Sequence, residues 1–300
     1  MLVANGHAVT GMTRSRGKAE SLRSQGADAV VADALDAHAV MAAVRRADPA
    51  VVVHELTAIP WTIDVRNLDR DFELTNRLRT EGTDNLVAAA QEAGAARFVA
   101  QSFAGTSYER RGSWVKTEDA PLEPNPRAGT RRVFEAIKHL ESEVLNASGL
   151  EGIVLRYGGF YGPGTSLGPG GAQVEAVKRR RLPIVGKGTG VWSFIHIEDA
   201  ASATVAAIER GRPGIYNIVD DDPAPVSEWL PALAEALRAK PPRRVPSWLA
   251  RRIAGDNAVV WMTDNRGASN AKAKAELGWK PRYASWREGF RATLAQATAA

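Results

Sequence analysis

Two short segments of this sequence have the composition of an anion-binding site. Residues 13–16 (TRSR) place two guanidinium groups and two hydroxyl groups directly after a predicted strand. A helix end, a turn, a strand and then basic residues are typical of the middle of a βαβ unit that binds a dinucleotide. Residues 186–190 (GKGTG) lead instead into a β-like run at 191–197, and not into a helix whose N-terminus can hold an anion. We interpret this second segment as a loop.

The composition excludes several kinds of chemistry. The sequence has no cysteine, which removes disulfides, thiolate metal sites and thiol nucleophiles. Its five histidines show no ligand spacing such as HExxH, so we expect no metal site. No apolar stretch approaches the roughly 20 residues that span a bilayer, and the N-terminal residues do not form a signal peptide. We therefore predict a soluble, cytoplasmic protein with no membrane partner.

The net charge of +5 and the pI near 9.6 raise the question of nucleic-acid binding. The basic clusters are residues 178–181 (KRRR), Arg243, Arg244, Arg251 and Arg252. No interleaved aromatic residues or nucleic-acid-binding motif accompany them. We interpret the clusters as solvated helix ends and loops, and we expect a small-molecule substrate and no nucleic acid.

Short apolar runs alternate with helical segments along the chain. The runs predict strands buried on both faces at residues 8–12, 29–32, 50–54, 97–101 and 152–156. Between them, crossover helices are predicted at residues 17–25, 37–47, 72–93 and 131–147. This alternation predicts an α/β fold with a Rossmann-type, doubly wound parallel sheet.

The first strand of this sheet is predicted to be missing. In the usual strand order the first strand lies at the centre and carries the cofactor turn at its C-terminal end. Because the sequence starts inside the first βαβ unit, we expect the sheet to lack this strand and the glycine-rich loop, which leaves a gap in its middle.

Six segments give the chain a family resemblance. They are residues 33–36 (DALD), 51–58 (VVVHELTA), 76–82 (NRLRTEG), 155–164 (LRYGGFYGPG), 193–200 (SFIHIEDA) and 276–281 (ELGWKP). Together they resemble the extended short-chain dehydrogenase/reductase family, the NAD(P)-dependent epimerase/dehydratases. The resemblance covers essentially the whole chain but lacks about 25 upstream residues, enough for one strand and a GxxGxxG turn. It implies a dinucleotide-binding core at residues 1–160 and a small C-terminal substrate lobe at residues 161–300, which is interleaved with the last core elements. It also implies a homodimer formed through the helices at 83–93 and 131–147.

The resemblance also implies a nicotinamide cofactor. In this fold a carboxylate after the second strand accepts from the ribose of NAD, whereas an arginine there neutralises the 2′-phosphate of NADP. Arg14, Ser15 and Arg16 occupy that position, which favours NADP with NAD as the alternative, although both arginines can equally be exposed turn residues. The other implied cofactor contacts are Asp33, Ala34, Leu56, Thr57, Lys138 and Tyr157.

The catalytic pattern of the family is incomplete in this chain. Members that move hydride use Tyr-x-x-x-Lys, in which the lysine lowers the pKa of the tyrosine and the phenolate acts as the general base. Phe134 and Lys138 match those positions, so the lysine is present and the phenol is missing. The partner serine position aligns with Phe103, one residue after Ser102. The candidate replacement groups are Ser102, Thr106, Tyr108 and Tyr161, and we take Lys138, Ser102 and Tyr161 as the catalytic candidates.

The positions implied to contact substrate also differ from the family pattern. Nucleotide-sugar members carry an asparagine where this chain has residues 158–160 (GGF), and an arginine where it has Trp192. An indole removes a charge-assisted contact to a diphosphate and offers an apolar face. Phe103, Phe160 and Trp192 therefore predict a smaller, less anionic or aromatic substrate, and a nucleotide sugar fits poorly. For His196 we expect a structural role.

Three functional hypotheses stay open on the sequence. The first is an NAD(P)(H)-dependent epimerase/dehydratase or reductase that acts on a small carbonyl or hydroxyl substrate with atypical acid/base residues. The second is a cofactor-sensing or regulatory protein that has lost the chemistry, which Phe103 and Phe134 favour. The third is a truncated gene product that does not bind the cofactor.

Overall fold

Strands and helices alternate in the computed structural model of the chain, which describes residues 1–105 and 107–294. The strands are β1 (Thr10–Thr13), β2 (Asp28–Val31), β3 (Val51–His54), β4 (Arg97–Phe103), β5 (Val115–Lys116), β6 (Glu151–Tyr157), β7 (Gly159–Tyr161), β8 (Ile184–Val185), β9 (Val191–Trp192), β10 (Phe194–His196), β11 (Gly214–Ile218), β12 (Ala224–Pro225), β13 (Arg244–Val245) and β14 (Gly267–Ala268). The helices are α1 (Arg16–Ser24), α2 (Ala37–Ala47), α3 (Leu68–Asp71), α4 (Glu73–Arg79), α5 (Glu81–Glu92), α6 (Arg131–Asn146), α7 (Ala172–Lys178), α8 (Ile197–Arg210), α9 (Val226–Ala236), α10 (Ser247–Thr263), α11 (Ala271–Leu277) and α12 (Trp286–Leu294). None of the described helices has the length and apolar composition needed to cross a membrane.

Four parallel strands form the central sheet in the order β11, β6, β4, β3. On β4, Phe98 lies opposite Val52 of β3 and Gly152 of β6. Successive side chains of a strand point to opposite faces. Phe98 accordingly packs with α2, α5 and α6, whereas Val99 packs with α8 and α11. Helices on both faces of a parallel sheet make the doubly wound Rossmann-type arrangement that the sequence predicts.

Strands β1 and β2 form a separate parallel pair, with Thr10 opposite Asp28. The side-chain amide of Asn85 in α5 donates to the Ala34 carbonyl at 2.9 Å. This bond joins the segment after β2 to a helix that packs on the central sheet. Within residues 1–105 and 107–294, no strand hydrogen-bonds to both this pair and β3. The absence of a first strand stays a prediction.

The prediction of a single helix at residues 72–93 is wrong, because this segment forms two helices, α4 and α5, which are separated at Thr80. Thr80 has φ −100° and ψ −87°, outside the helical range. Its hydroxyl donates to the Asn76 carbonyl at 3.1 Å. A threonine hydroxyl that bonds back to the preceding turn bends a helix, and a pattern of apolar residues does not register this effect.

A second core lies among α7, α9, α12 and the strands β8 and β10. Phe194, Trp229 and Trp286 are fully buried there, and the Phe194 ring centroid lies 5.3 Å from Trp229 and 6.4 Å from Trp286. Strand β11 belongs to the central sheet and residues of α8 and α11 pack against it, although all three elements come later in the chain than β7. The predicted domain boundary at residue 160 stays a prediction.

Helix α10 is absent from the sequence-based predictions. It is interrupted at Gly255, which has φ 83° and ψ 175°, a conformation that glycine adopts without the steric cost of a side chain. Arg66 lies beside this break, since a Cβ on Gly255 would stand 3.5 Å from Arg66 Cγ. The break therefore brings α10 next to the segment that joins β3 to α3.

Candidate active site

The carboxyl ends of β3, β4 and β6 lie at one edge of the central sheet, where doubly wound folds bind their ligands. Glu55 follows β3, Phe103 ends β4 and Tyr157 ends β6. Helix α6 begins at the same edge, because a helix that connects two parallel strands runs back antiparallel to them. The predicted catalytic helix therefore starts beside the ends of these strands.

Phe134 and Lys138 lie one turn apart on α6 and share a face of the helix. Phe134 is buried, and its phenyl ring has no transferable proton. Its match to the position of the family's tyrosine stays a prediction. Lys138 is exposed, and its Nζ donates to the Glu123 carbonyl at 3.3 Å. The contact of Lys138 with a nicotinamide ribose stays a prediction.

Ser102 belongs to a buried ionic network. Its Oγ donates to Glu141 Oε1 at 2.6 Å, and Arg156 donates to both oxygens of the same carboxylate at 2.8 and 2.6 Å. Burial alone would lower the pKa of Arg156, but its hydrogen bonds to Glu141 raise it above its usual value. Arg156 therefore stays charged and is paired with Glu141, and the Ser102 hydroxyl donates its proton to the same carboxylate. This environment supports a structural role for Ser102.

Tyr108 extends the same network. Its hydroxyl donates to Asn217 Oδ1 and accepts from Arg156 Nη1 at 3.4 Å. Burial raises the pKa of Tyr108 to about 12, so the phenol keeps its proton. Thr106, another replacement candidate, lies outside the described residues.

Tyr161 lies in the core of the lobe. Its ring makes edge-to-face contacts with His196 and Phe290, each at 5.2 Å between centroids. Its hydroxyl is buried without a hydrogen-bond partner in the described residues, and burial raises its pKa. A Cβ on Gly289 would stand 2.0 Å from that hydroxyl oxygen, so helix α12 packs directly on it. The contacts favour packing over proton transfer, and we do not include Tyr161 in the proposed site. His196 accepts from the Glu198 N–H at 3.2 Å as the N-cap of α8, a contact that agrees with its predicted structural role.

The residues predicted to bind the adenosine half of a dinucleotide lie together after β1 and β2. Arg14 forms an exposed ion pair with Asp33 at 3.9 Å. Ser15 accepts from the Lys18 N–H at 3.3 Å as the N-cap of α1, and exposed Arg16 begins that helix. Two exposed guanidinium groups beside a helix N-terminus form a donor set suited to a phosphate group. This donor set fits a phosphorylated adenosine ribose.

The turn after β3 is held by a buried histidine. The Leu56 N–H donates to His54 Nδ1 at 3.2 Å, and His54 Nε2 lies 3.2 Å from the Leu78 carbonyl. Burial lowers the pKa of His54 to about 4, so the imidazole is neutral and donates through Nε2. Thr57, exposed at this turn, and buried Ala34 after β2 border the same edge.

The three predicted substrate-contact residues lie in different surroundings. Phe103 is half-buried at the end of β4. Phe160 packs with the core of the central sheet, 5.3 Å from the Tyr157 ring. Trp192 packs 5.2 Å from Trp229 in the lobe, and its indole N–H donates to a carbonyl of α10 at 2.8 Å. The structure therefore does not combine the three into one apolar surface.

A carboxyl group that the sequence analysis missed lies at the same edge. The Tyr157 hydroxyl is 3.1 Å from Glu55 Oε1 and 2.6 Å from Thr204 Oγ1, and Thr204 donates to the Ala200 carbonyl at 2.8 Å. The Tyr157 hydroxyl donates to Glu55, which accepts through Oε1. Desolvation raises the pKa of Glu55 to about 7, against the lowering effect of its bond to Tyr157. The only sequence signal is a charged residue directly after an apolar strand.

Comparisons with known proteins agree with this geometry. The model of the NAD-dependent epimerase/dehydratase family matches residues 1–219. A Streptomyces sp. protein named 3-diazoavenalumate denitrifying reductase is 44% identical over 293 residues, which cover 95% of this chain and 95% of that protein. The structure of Thermus thermophilus UDP-glucose 4-epimerase in complex with NAD is 25% identical, with a TM-score of 0.72, and the match covers 100% of this chain and 94% of the epimerase. The Thermotoga maritima UDP-glucose 4-epimerase with UDP-glucose has the same fold, with 23% identity, a TM-score of 0.74 and coverage of 99% and 93%. The chain belongs to the NAD-dependent epimerase/dehydratase family.

Proposed function

We propose that this protein is a nicotinamide-dependent reductase that replaces the diazo group of a small acid by hydrogen. The observation that carries the proposal is that Phe134 is buried and has no transferable proton. The sequence resemblance matches this residue to the family's general acid and base. A relative with 44% identity over nearly the whole chain is named for a diazo substrate, for loss of nitrogen and for reduction.

The chemistry of a diazonium group explains why a phenol is dispensable. Reduction of a carbonyl needs a proton on the oxygen, and a residue such as tyrosine supplies it. Phe134 cannot do so. An aryl diazonium group already carries a positive charge, so its terminal nitrogen accepts a hydride without a proton donor. The N–H and C–N bonds of the resulting diazene then break, the hydrogen passes from the nitrogen to the ring carbon and dinitrogen leaves, so atoms and charge balance without an external proton.

The chain's own residues bind, orient and shield the reactants in this proposal. Arg14, Ser15 and Arg16 hold the phosphorylated adenosine end of NADP(H), and Lys138 holds the nicotinamide ribose. When bound, the cofactor supplies a hydride. Phe134 and Phe103 present apolar surface at the start of α6 and the end of β4, which keeps water from a reactive diazonium group.

Deuterium transfer tests the reductase proposal. The purified protein is mixed with para-carboxybenzenediazonium and NADPH deuterated at the transferred position, and the aromatic product is analysed by mass spectrometry. We expect dinitrogen and benzoate with one deuterium at the former diazo carbon. Binding of NADPH without turnover of the diazonium substrate contradicts the reductase and favours the cofactor-sensing alternative, which the phenyl rings at positions 103 and 134 also fit.

Three further properties belong to the same proposal. The preference for NADP over NAD is supported by the two arginines after β1. A homodimer through α5 and α6, which pack side by side within one chain, follows from the family resemblance. A cytoplasmic location is consistent with a reaction that consumes reduced nicotinamide. Sedimentation analysis and paired titrations with NADPH and NADH test the first two properties.

A further inference from the structure

A cavity of about 570 Å³ beside the start of α6 is lined by four arginines. Arg66 comes from the segment between β3 and α3, and Arg127 comes from the loop that leads into α6. Arg251 and Arg252 come from α10 of the lobe. The cavity thus lies between the loops of the central sheet and a lobe helix, and its volume is in the range of small-molecule sites.

Two hydrogen bonds near the cavity join the segment after Arg66 to the predicted catalytic helix. The Asp69 N–H donates to the Gly129 carbonyl at 2.8 Å, and the Val133 N–H donates to Asp69 Oδ1 at 3.2 Å. These bonds tie the segment that carries Arg66 to the first turn of α6, which also carries Phe134. A ligand in the cavity therefore lies at the ligand-binding edge of the sheet.

The charge of the cavity is strongly unbalanced. Asp256 is the one acidic residue among those that line it, against four arginines. It pairs with Arg251 at 2.6 Å and with Arg127 at 3.7 Å. The guanidinium groups of Arg66 and Arg252 have no carboxylate within 4 Å in the described part of the chain. Clustered guanidinium groups repel one another, and an anion relieves that repulsion through paired hydrogen bonds.

An exposed tryptophan lies on the same helix as two of the arginines. Trp248 precedes Arg251 by three residues and Arg252 by four on the continuous first half of α10, so the three share a helix face. Its side chain is 67% exposed, which is unusual for an indole group on a soluble surface. A flat apolar ring next to guanidinium groups suits an acid whose carboxylate is attached to an aromatic or conjugated system.

We propose that this cavity binds the carboxylate of the substrate, an aryl or conjugated monocarboxylic acid, through Arg66, Arg252 and their neighbours Arg127 and Arg251. The inference rests on the proposed function, in that the bound acid is the molecule to be reduced. Arginine forks bind a carboxylate with two parallel hydrogen bonds. The acid end is then held between α10 and the loops that carry Arg66 and Arg127.

Binding of matched probes tests the inference without turnover. Cinnamate and its neutral amide, cinnamamide, are titrated calorimetrically into the wild-type protein, an Arg66→Gln/Arg252→Gln double variant, and an Arg46→Gln control. Arg46 is an exposed arginine on α2 without an ion pair among the described residues. The wild type and the control should bind cinnamate at least about tenfold more tightly than cinnamamide, and the double variant should lose this preference.

Three results would overturn the inference. They are equal binding of the two probes by the wild type, an unchanged preference in the double variant, and absence of cinnamate binding at millimolar concentration. The double variant removes no observed ion pair, so its melting temperature should match that of the wild type. If melting is lowered, the two single variants are titrated instead, and each should lose part of the preference.

A kinetic comparison distinguishes this inference from the reductase proposal. In the double variant, KM for para-carboxybenzenediazonium should rise by about tenfold with kcat unchanged, whereas KM for unsubstituted benzenediazonium should not move. If the wild type reduces neither compound but still prefers cinnamate, the reductase proposal fails and the carboxylate site stands. If it reduces both compounds with equal KM, the carboxylate site fails and the reductase proposal stands.

Discussion

Replacing Ser102 with alanine should lower the stability of the protein without slowing its reaction. Ser102 Oγ donates to the carboxylate of Glu141 at 2.6 Å, and both residues are at least 95% buried. A hydrogen bond to a charged group contributes about 1.5–3 kcal/mol to stability. Because Arg156 still bonds to both oxygens of Glu141 in the variant, we expect a loss near the lower end, about 2 kcal/mol.

Ser107→Ala is the matched control for this substitution. Ser107 is also buried, but its Oγ donates at 2.8 Å to the neutral carbonyl of Phe103. A neutral hydrogen bond contributes about 1 kcal/mol, so this variant should lose about half as much stability as Ser102→Ala. Urea unfolding followed by circular dichroism gives both free energies of unfolding.

Steady-state kinetics decide whether Ser102 has a catalytic role. For a structural residue, kcat of Ser102→Ala should stay within a factor of about two, whereas loss of a proton-transfer group costs on the order of 100-fold. A Ser102→Ala protein that unfolds at the wild-type urea concentration but turns over about 100-fold more slowly would refute the structural assignment.

Three other predictions concern the edge of the sheet. Phe134→Tyr places a phenol one turn before Lys138. We expect the rate of reduction of a carbonyl substrate to rise by about 100-fold, while turnover of the diazonium substrate stays within a factor of about two. Parallel assays with both substrates check this prediction, and an equal gain for both contradicts it. Glu55 has a folded-state pKa of about 7 against an ordinary value of 4.5, so its contribution to stability is complete below pH 4.5 and is lost as the pH rises through 7. In Glu55→Gln this fall in the urea midpoint should disappear, and a variant that still shows it rules out Glu55 as the cause. Arg14→Gln should weaken NADPH binding by about tenfold and leave NADH binding unchanged, as measured by calorimetry. Equal losses of affinity for both cofactors count against a contact between Arg14 and the 2′-phosphate.

Much of the fold follows from local sequence patterns. Helix α2 has the predicted bounds because an aspartate cap and a periodic apolar face are both encoded within one short segment. The predicted strand at 50–54 differs from β3 by one residue. The break at Thr80 was missed because one hydroxyl group, and not the apolar pattern, ends α4.

The roles of individual site residues depend on partners that are distant in the sequence. Ser102 and Glu141 are 39 residues apart, and Glu55 and Tyr157 are 102 residues apart. No spacing rule connects residues that meet only when separate elements pack side by side. The arginine cavity is hidden for the same reason, since its walls come from three separate segments. The match of Phe134 to the family's tyrosine, by contrast, is a prediction that needs only the local spacing to Lys138.

The buried pair of Glu141 and Arg156 attaches α6 to the central sheet, and the residue at position 134 is not part of that attachment. Glu141 lies two turns beyond Phe134 and anchors the helix to β6 through two charge-assisted hydrogen bonds. The helix therefore keeps its place whether a phenol or a phenyl ring stands at position 134. In evolutionary terms, a scaffold of this kind can exchange one chemistry for another by a single substitution, because the residue that changes is not one that holds the structure together.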